Sequence, residues 1–132
     1  MKKLTVAIPT FNGGQNLERA IKSCEKIQIL PDDYEILVID NCSTDDSISN
    51  VNKLKKEFVN LRLVENQKNV GRIQNWNVSI DNAQGKFLIS LFSNDEINEE
   101  NNIHECIKIL DNDESISIGF ASLLKKEIEQ SL

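Results

Sequence analysis

An α/β domain built on a mostly parallel sheet flanked by helices is the fold that this sequence predicts. Apolar segments rich in β-branched residues alternate along the chain with segments whose apolar residues recur at helical spacing. Strands that alternate with helices are joined by crossover connections, which make neighbouring strands parallel. A length of 132 residues suits one domain, so we predict a single domain over residues 1–132.

The first half of the chain supplies two predicted strands. Leu4 to Ile8 is a short apolar run ended by Pro9, and Tyr34 to Ile39 is a nearly continuous apolar run, as expected of a strand covered on both faces. The helix between them has one apolar face at the i, i+3, i+4, i+7 spacing, formed by Leu17, Ala20, Ile21 and Cys24. Ile48, Val51 and Leu54 form the inner face of the helix that follows the second strand.

The second half predicts strands at Leu61 to Val64, Lys86 to Phe92 and Ser115 to Phe120. Two helices with apolar sides lie between these strands. The apolar side of the first is formed by Ile73, Trp76, Ile80 and Ala83, and that of the second by Ile103, Cys106, Ile107 and Leu110. On this reading Trp76 belongs to the core and is not a platform for a ligand.

Charge and cysteine content exclude several classes of protein. The net charge of −6 argues against nucleic acid or an anionic membrane surface as the main partner. The three cysteines are widely spaced and include no CxxC pair, which argues against a disulfide framework or a zinc site. The apolar run near the N-terminus is too short for a signal peptide or a membrane span, so we expect a cytoplasmic location, with peripheral attachment to the inner face of the membrane as an alternative.

Four loops follow the predicted strands, and ligands of open parallel sheets bind where such loops meet. The loops contain or adjoin four motifs: Val6-Ala-Ile-Pro-Thr-Phe-Asn12, Glu35-Ile-Leu-Val-Ile-Asp-Asn-Cys-Ser-Thr-Asp45, Asn69-Val-Gly-Arg-Ile-Gln-Asn-Trp-Asn77 and Gly85-Lys-Phe-Leu-Ile-Ser-Leu-Phe-Ser-Asn-Asp95. In this order and spacing they resemble family 2 glycosyltransferases, over residues 3–120. The resemblance implies the Rossmann-like GT-A fold of nucleotide-diphospho-sugar transferases.

The resemblance also implies a nucleotide-sugar site, with a UDP-sugar as the expected ligand. It places Pro9, Thr10 and Phe11 beside the nucleobase and has Asp40 hydrogen-bond the base or ribose. In the third loop, Gly71 allows the backbone to approach a ligand closely, and the guanidinium of Arg72 suits a phosphate. Asn69 belongs to the same loop, and Asn77 matches a polar position of the family. The alternative for each of these residues is a structural or solvated role.

The fourth loop departs from the family pattern. Most relatives carry an Asp-x-Asp motif, often with a further Asp, where this chain has Phe92, Asn94 and Asp95. The resemblance implies that Asp95 contacts a divalent metal, Mg²⁺ or Mn²⁺, and that Asn94 bonds a hydroxyl of the ribose or sugar. One protein carboxylate, diphosphate oxygens and water make a chemically reasonable site for either ion.

The function implied by the resemblance is inverting transfer of the sugar to a saccharide or lipid-linked acceptor, in surface polysaccharide synthesis. The catalytic base stays unassigned, because in relatives it comes from a later segment together with much of the acceptor pocket. We therefore expect a chain truncated on the acceptor side at its C-terminus. Such an edge favours self-association, so a homo-oligomer formed through it is a further expectation.

Two other classes of function remain open from the sequence. A non-catalytic nucleotide-sugar-binding fragment or regulatory module is suggested by Phe92, Asn94 and the short chain. A receiver-like signalling domain shares the alternating strands and helices, but it requires an acidic cluster after the first strand. Pro9-Thr-Phe-Asn12 supplies no such cluster.

Overall fold

The computed structural model describes residues 1–99 and 102–115. Four parallel strands form one sheet in the order β3-β2-β1-β4, with helices on both faces. The strands are β1 (Lys2–Thr10), β2 (Tyr34–Asp40), β3 (Leu61–Glu65) and β4 (Gly85–Ser90). The helices are α1 (Gly14–Ser23), α2 (Ser47–Leu54), α3 (Arg72–Asn82) and α4 (Ile103–Asn112), with short 3₁₀ turns at Cys24–Lys26 and Pro31–Asp33.

The predicted parallel α/β fold is confirmed, and each predicted strand within the described residues is present. The strand predicted at 115–120 lies outside the described residues except for Ser115, which is in a turn. Within the part of the chain that the structure describes, no helix has the length and apolar character needed to cross a membrane.

Strand β1 runs through Pro9, although the sequence predicted that the proline would end it. Pro9 has no N–H to donate, so it requires a strand position whose N–H needs no partner. The pairing of β1 with β4 ends at Ala7 opposite Ser90, whereas the pairing with β2 continues to Thr10 opposite Asp40. Pro9 therefore lies where β1 has a neighbour on one side only.

Strand β4 starts one residue earlier and ends two residues earlier than predicted. Its first residue, Gly85, lies so close to β1 that an added Cβ would be 2.4 Å from the backbone nitrogen of Thr5. The Gly85 N–H also donates to the Thr5 hydroxyl at 2.8 Å. Only glycine permits this approach, which fixes the register of β4 and hence the position of the loop after it.

One face of the sheet carries the apolar core. Alternate residues of the strands, Leu4, Val6 and Ile8 in β1 and Ile36 and Val38 in β2, are fully buried there. They pack with the predicted faces of α1, α2 and α4, represented by Leu17, Ala20, Ile21, Cys24, Val51, Leu54, Ile103 and Ile107. The apolar periodicity of these helices is confirmed.

Helix α3 covers β1 and β2 on the opposite face, and here the prediction was wrong. Its buried residues are Asn75 and Ser79, while Ile73 and Ile80 are 64% and 62% exposed. Polar groups of the helix and the sheet pair with one another here: Asn75 of α3 donates to the carbonyl of Ile39 in β2, and Arg62 of β3 donates to the carbonyl of Asn82 at the end of α3. Satisfying these groups turned the polar side of the helix inward.

Candidate functional site

A cleft of about 550 Å³ opens at the carboxyl ends of the strands. Its walls come from the segments after β1 and β2, from the loop before α3 with the first turns of that helix, and from the loop after β4. The lining residues are Pro9, Thr10, Phe11, Asn41, Asn69, Arg72, Asn75, Trp76, Phe92, Ser93 and Asn94. The sequence had predicted a site where these four loops meet, and the structure brings them together there.

Six of the predicted site residues line the cleft: Pro9, Thr10, Phe11, Asn69, Arg72 and Asn94. Four do not: Asp40, Gly71, Asn77 and Asp95. Asp40 is buried at the end of β2, whereas Gly71, Asn77 and Asp95 are exposed outside the lining. The ligand contacts predicted for these four residues stay predictions.

Asn12 holds the first two loops of the cleft together. It has a left-handed backbone conformation, with φ of 53°, which asparagine tolerates better than most residues. Its side-chain Oδ1 accepts from the backbone N–H groups of Thr44 at 2.8 Å and Asp45 at 3.3 Å, and its own N–H donates to the Ser43 hydroxyl at 2.8 Å. We call this set of bonds the Asn12 clasp.

Four asparagine side chains connect the end of β2, the third loop and α3. The Asn41 amide donates to Asn69 Oδ1 at 3.0 Å, and the Asn66 amide donates to Asn41 Oδ1 at 3.1 Å and to Asn75 Oδ1 at 2.7 Å. Asn41 Oδ1 and Asn69 Oδ1 also accept from the backbone N–H groups of Val70 and Gly71, each at 2.9 Å. This amide network fixes the loop that leads into Arg72.

Two buried oxygen atoms at the ends of β1 and β2, beside the cleft, lack hydrogen-bond partners. Thr10 Oγ1 and Asp40 Oδ1 are both enclosed, and Thr10 and Asp40 are paired in the register of β1 and β2. The other carboxylate oxygen of Asp40 accepts from the Ser43 N–H at 2.9 Å. An unpartnered buried acceptor costs roughly 1–3 kcal/mol, so this spot favours a ligand that brings a hydrogen-bond donor.

The electrostatic character of the cleft is simple. Among the described residues that line it, Arg72 alone carries a charge, and four others are neutral asparagine amides. Arg72 is also the first residue of α3, where the helix dipole and unpaired backbone N–H groups add positive potential. This end of the cleft therefore favours an anionic group.

The loop after β4 carries Asp95 in a turn that is closed by its own N–H, which donates to the Phe92 carbonyl at 2.9 Å. Across residues 1–99 and 102–115, no three His, Cys, Asp or Glu residues come together in a way that could hold a metal ion. The loop carries two neighbouring carboxylates, Asp95 and Glu96, and no third ligand of these types joins them within the described residues. This suits a metal that keeps several water ligands and binds together with substrate phosphates, as Mg²⁺ often does.

Trp76 and Phe92 form an aromatic pair in the cleft wall. Their ring centroids are 5.5 Å apart and the rings are tilted by 48°. Trp76 is half-buried and Phe92 is 41% exposed, so the prediction that Trp76 belongs to the core was wrong. The inward rotation of Asn75 and Ser79 is the physical reason, because it carries Trp76 to the edge of the sheet face.

Five lining residues were not among the predicted site residues: Asn41, Asn75, Trp76, Phe92 and Ser93. Asn41 directly follows Asp40 at the end of a buried strand, and its position was a usable signal. Asn75 also offered a usable signal in the sequence, because asparagine is unfavourable inside a helix unless its amide is hydrogen-bonded. Phe92 carried no such signal, since an aromatic residue near a strand end is ordinarily part of the core.

Comparison with known proteins agrees with this geometry. The model of the family described as glycosyl transferase family 2 matches residues 5–126. The poly(ribitol-phosphate) β-N-acetylglucosaminyltransferase TarS of Staphylococcus aureus is 31% identical over 101 residues, which cover 76% of this chain and 18% of TarS. A GalNAc(5)-diNAcBac-PP-undecaprenol β-1,3-glucosyltransferase of Campylobacter jejuni is 39% identical over 98 residues, which cover 74% of this chain and 31% of that enzyme.

Solved structures show the same fold. A crystal structure of residues 1–349 of S. aureus TarS in complex with UDP-GlcNAc superposes with a TM-score of 0.74 at 28% identity, covering 83% of this chain and 31% of that one. The chain thus spans under a third of the proteins that it resembles. With the family model matching most of its length and the GT-A fold present, the chain belongs to glycosyl transferase family 2.

Proposed function

We propose that this chain binds the nucleoside diphosphate part of a UDP-sugar in the cleft, as the donor-binding part of an inverting glycosyltransferase. The observation that carries the proposal is the combination of two unpartnered acceptors beside the cleft, at the ends of β1 and β2, with a single cation in the cleft wall. A nucleoside supplies donors and a diphosphate supplies negative charge. The S. aureus TarS structures in complex with UDP-GlcNAc and with UDP support this choice of ligand.

The nucleoside lies in the part of the cleft beside the ends of β1 and β2 in this proposal. Uracil has an imide N–H and ribose has hydroxyl groups, and both are hydrogen-bond donors. Asp40 Oδ1 and Thr10 Oγ1 are acceptors that need such donors. Pro9 and Phe11 line the same part of the cleft and offer apolar surface to the base.

The diphosphate lies toward Arg72 and the start of α3. The guanidinium can bond two phosphate oxygens at once, and the amide network holds the preceding loop in place through Asn69 and Gly71. Asn94 lines the cleft beside this position and can donate to, or accept from, a hydroxyl of the ribose or sugar.

A divalent ion, Mg²⁺ or Mn²⁺, belongs beside Asp95 in this proposal. Asp95 holds it with one carboxylate, and diphosphate oxygens and water complete its ligands. When bound, the ion stabilises the negative charge of the departing nucleoside diphosphate. Because the protein contributes one carboxylate, we expect the ion to bind tightly only together with the nucleotide.

The acceptor in this proposal is a saccharide or a lipid-linked saccharide. The relatives named above act on poly(ribitol-phosphate) and on an undecaprenol-linked glycan. Inverting transfer requires a base that deprotonates the acceptor hydroxyl on the face opposite the leaving group. We assign no described residue to that role, because none of the side chains that line the cleft is a carboxylate or histidine.

A second function is favoured by the same absence of lining carboxylates. Phe92 and Asn94 stand where most relatives carry acids, which suits a module that binds a nucleotide-sugar without transferring it. The two functions differ in turnover: the module binds UDP-GlcNAc without releasing UDP, even when an acceptor saccharide is present. Release of UDP that depends on the acceptor would exclude the module.

The deciding experiment is calorimetric titration of the chain with UDP, with and without Mn²⁺. We expect binding that Mn²⁺ strengthens and that Asp95→Ala weakens by on the order of tenfold or more in the presence of Mn²⁺ only. Asp81→Ala is the matched control, because Asp81 is an exposed acid on α3 outside the cleft. Failure to bind UDP, GDP or dTDP would refute the proposed function.

A further inference from the structure

We propose that the Trp76–Phe92 pair is a stacking wall for the nucleobase, so that base recognition in this chain depends on aromatic contact. This inference rests on the proposed function and deepens it. The ring centroids of the pair are 5.5 Å apart, and both residues line the cleft.

The geometry of the pair leaves ring surface available. A tilt of 48° packs Trp76 against Phe92 without covering either ring face completely, and 41% of Phe92 is exposed. The pair is also held from two sides. Trp76 is carried by α3, whose Asn75 is fixed by the Ile39 carbonyl and by Asn66, and Phe92 is fixed by the turn that the Asp95 N–H closes.

Charge decides which part of a nucleotide-sugar meets this wall. The face of an aromatic ring is negative and repels an anion, so the diphosphate does not lie on it. Arg72, one helical turn before Trp76, provides the favourable place for the diphosphate. The wall is therefore left for an uncharged part of the ligand, the base or the sugar.

The shape and polarity of the cleft favour the base. A third aromatic ring, Phe11, lines the same cleft and is 52% exposed. The loops that carry Phe11 and Phe92 lie close together, since a Cβ added at Gly13 would be 3.4 Å from the Cβ of Ser93. A flat base with two π faces can contact rings from both loops, whereas a pyranose presents hydroxyl groups around its rim.

Trp76 makes the inference directly testable, because it is the only tryptophan in the chain. Its fluorescence therefore reports changes in the surroundings of this wall. The ligands are UMP, which has a base but no transferable sugar, and ribose 5-phosphate, which lacks the base. We expect UMP to quench the fluorescence and ribose 5-phosphate to leave it unchanged.

Phe92→Leu removes the second ring and keeps an apolar side chain. We expect it to weaken UMP binding by about 5- to 100-fold, the range that stacking of one base provides, measured by calorimetry. Trp76→Phe, which keeps a ring, should weaken binding less. Leu88→Ala is the control, since Leu88 is partly exposed on β4 and does not line the cleft, and it should bind UMP as the wild type does.

The outcomes separate this inference from the proposed function. If UMP binds by calorimetry while the fluorescence is unchanged and Phe92→Leu binds equally well, the stacking wall is wrong and the proposed function stands. If Phe92→Leu weakens UDP-GlcNAc but not UMP, the wall serves the sugar and the inference is overturned. If neither UMP nor UDP binds, the stacking wall and the proposed function are both wrong. Thermal unfolding of each variant shows whether a loss of binding is a loss of folding.

Discussion

The face of the sheet under α1, α2 and α4 is covered by apolar side chains, whereas the face under α3 combines the buried apolar residues Ala7, Leu37 and Ile39 with polar ones that are nearly as well buried. On the α3 face Glu35 accepts from the Thr5 hydroxyl at 2.7 Å, from the Gln84 N–H at 2.7 Å and from Arg62 at 3.0 Å. Asn75 and the amide network continue this polar layer toward the cleft. Polar contacts therefore add to apolar burial on the α3 face, whereas apolar burial dominates on the other.

The difference teaches why apolar periodicity succeeded on one face and failed on the other. Burial of apolar area favours a helix with its apolar side against the sheet. On the face under α1, α2 and α4, no opposing effect competes with it. On the α3 face, the inward orientation gives the Asn75 amide the Ile39 carbonyl and Asn66 as partners, and it leaves Ile73 and Ile80 exposed. Periodicity measures only the first of these effects.

The largest effect on stability is expected from truncation of a side chain on the apolar face. Ile36 is fully buried among the core residues of β1 and α1. Ile36→Ala should lower the free energy of unfolding by about 2–5 kcal/mol, through lost transfer free energy and a residual cavity. Urea unfolding at pH 7 measures this, with Leu30→Ala as the exposed control, which should change stability by less than ~0.5 kcal/mol.

A smaller effect is expected from the polar face. Glu35→Gln keeps the shape of the side chain but removes the anionic partner of Arg62, and should cost about 1–3 kcal/mol at pH 7. Arg62 is one-third exposed, which places the value in the lower part of that range. A Glu35→Gln variant as stable as the wild type would show that the polar layer contributes no net stability.

The pH dependence of the same pair tests its electrostatic part. Burial alone would raise the pKa of Glu35, but hydrogen bonds from Arg62, the Gln84 N–H and Thr5 lower it below its usual value. Because the pKa of Glu35 is lower in the folded state, its ionised form stabilises the fold above the unfolded-state pKa of about 4.3. This stabilisation is lost as the pH falls through the folded-state pKa. The difference in the free energy of unfolding between the wild type and Glu35→Gln should therefore become smaller as the pH is lowered from 7 to 3.

The smallest effect is expected on the outer side of α3. Ile80→Ser should change the free energy of unfolding by less than ~0.5 kcal/mol, because Ile80 is exposed and the two residues have similar helix propensities. Thermal unfolding is the measurement. A loss above about 1.5 kcal/mol, comparable with burial of an isoleucine, would mean that this side of the helix is covered and that the two faces are less different than described.

The strands and the apolar helix faces were predictable because they follow from local rules. β2 is a nearly continuous apolar run and was placed to within one residue, and the apolar face of α1 was predicted from its helical spacing. The end of β1 could not be predicted, since it depends on which neighbour Pro9 has. The orientation of α3 depends on partners more than 30 residues away, such as Ile39 for Asn75.

The location of the site was predictable, but part of its chemistry was not. Loops after parallel strands meet at one edge of the sheet, and Thr10, Asn69 and Arg72 were found in the cleft wall on that basis. Asp40 was predicted at a strand end, yet its burial beside Thr10 follows from the pairing of β1 with β2. The contact between Trp76 and Phe92 depends on the orientation of α3, which buries its polar side, and on the early end of β4. Neither feature could be predicted from the local sequence.

The Asn12 clasp has a consequence for the rate of binding. Because Asn12 already ties its own loop to Thr44 and Asp45, these loops are ordered when the protein folds, before any ligand arrives. Binding then loses little loop entropy and needs no slow loop closure. Nucleotide association should accordingly follow a single fast phase whose rate rises linearly with concentration, without the plateau that a preceding conformational step imposes.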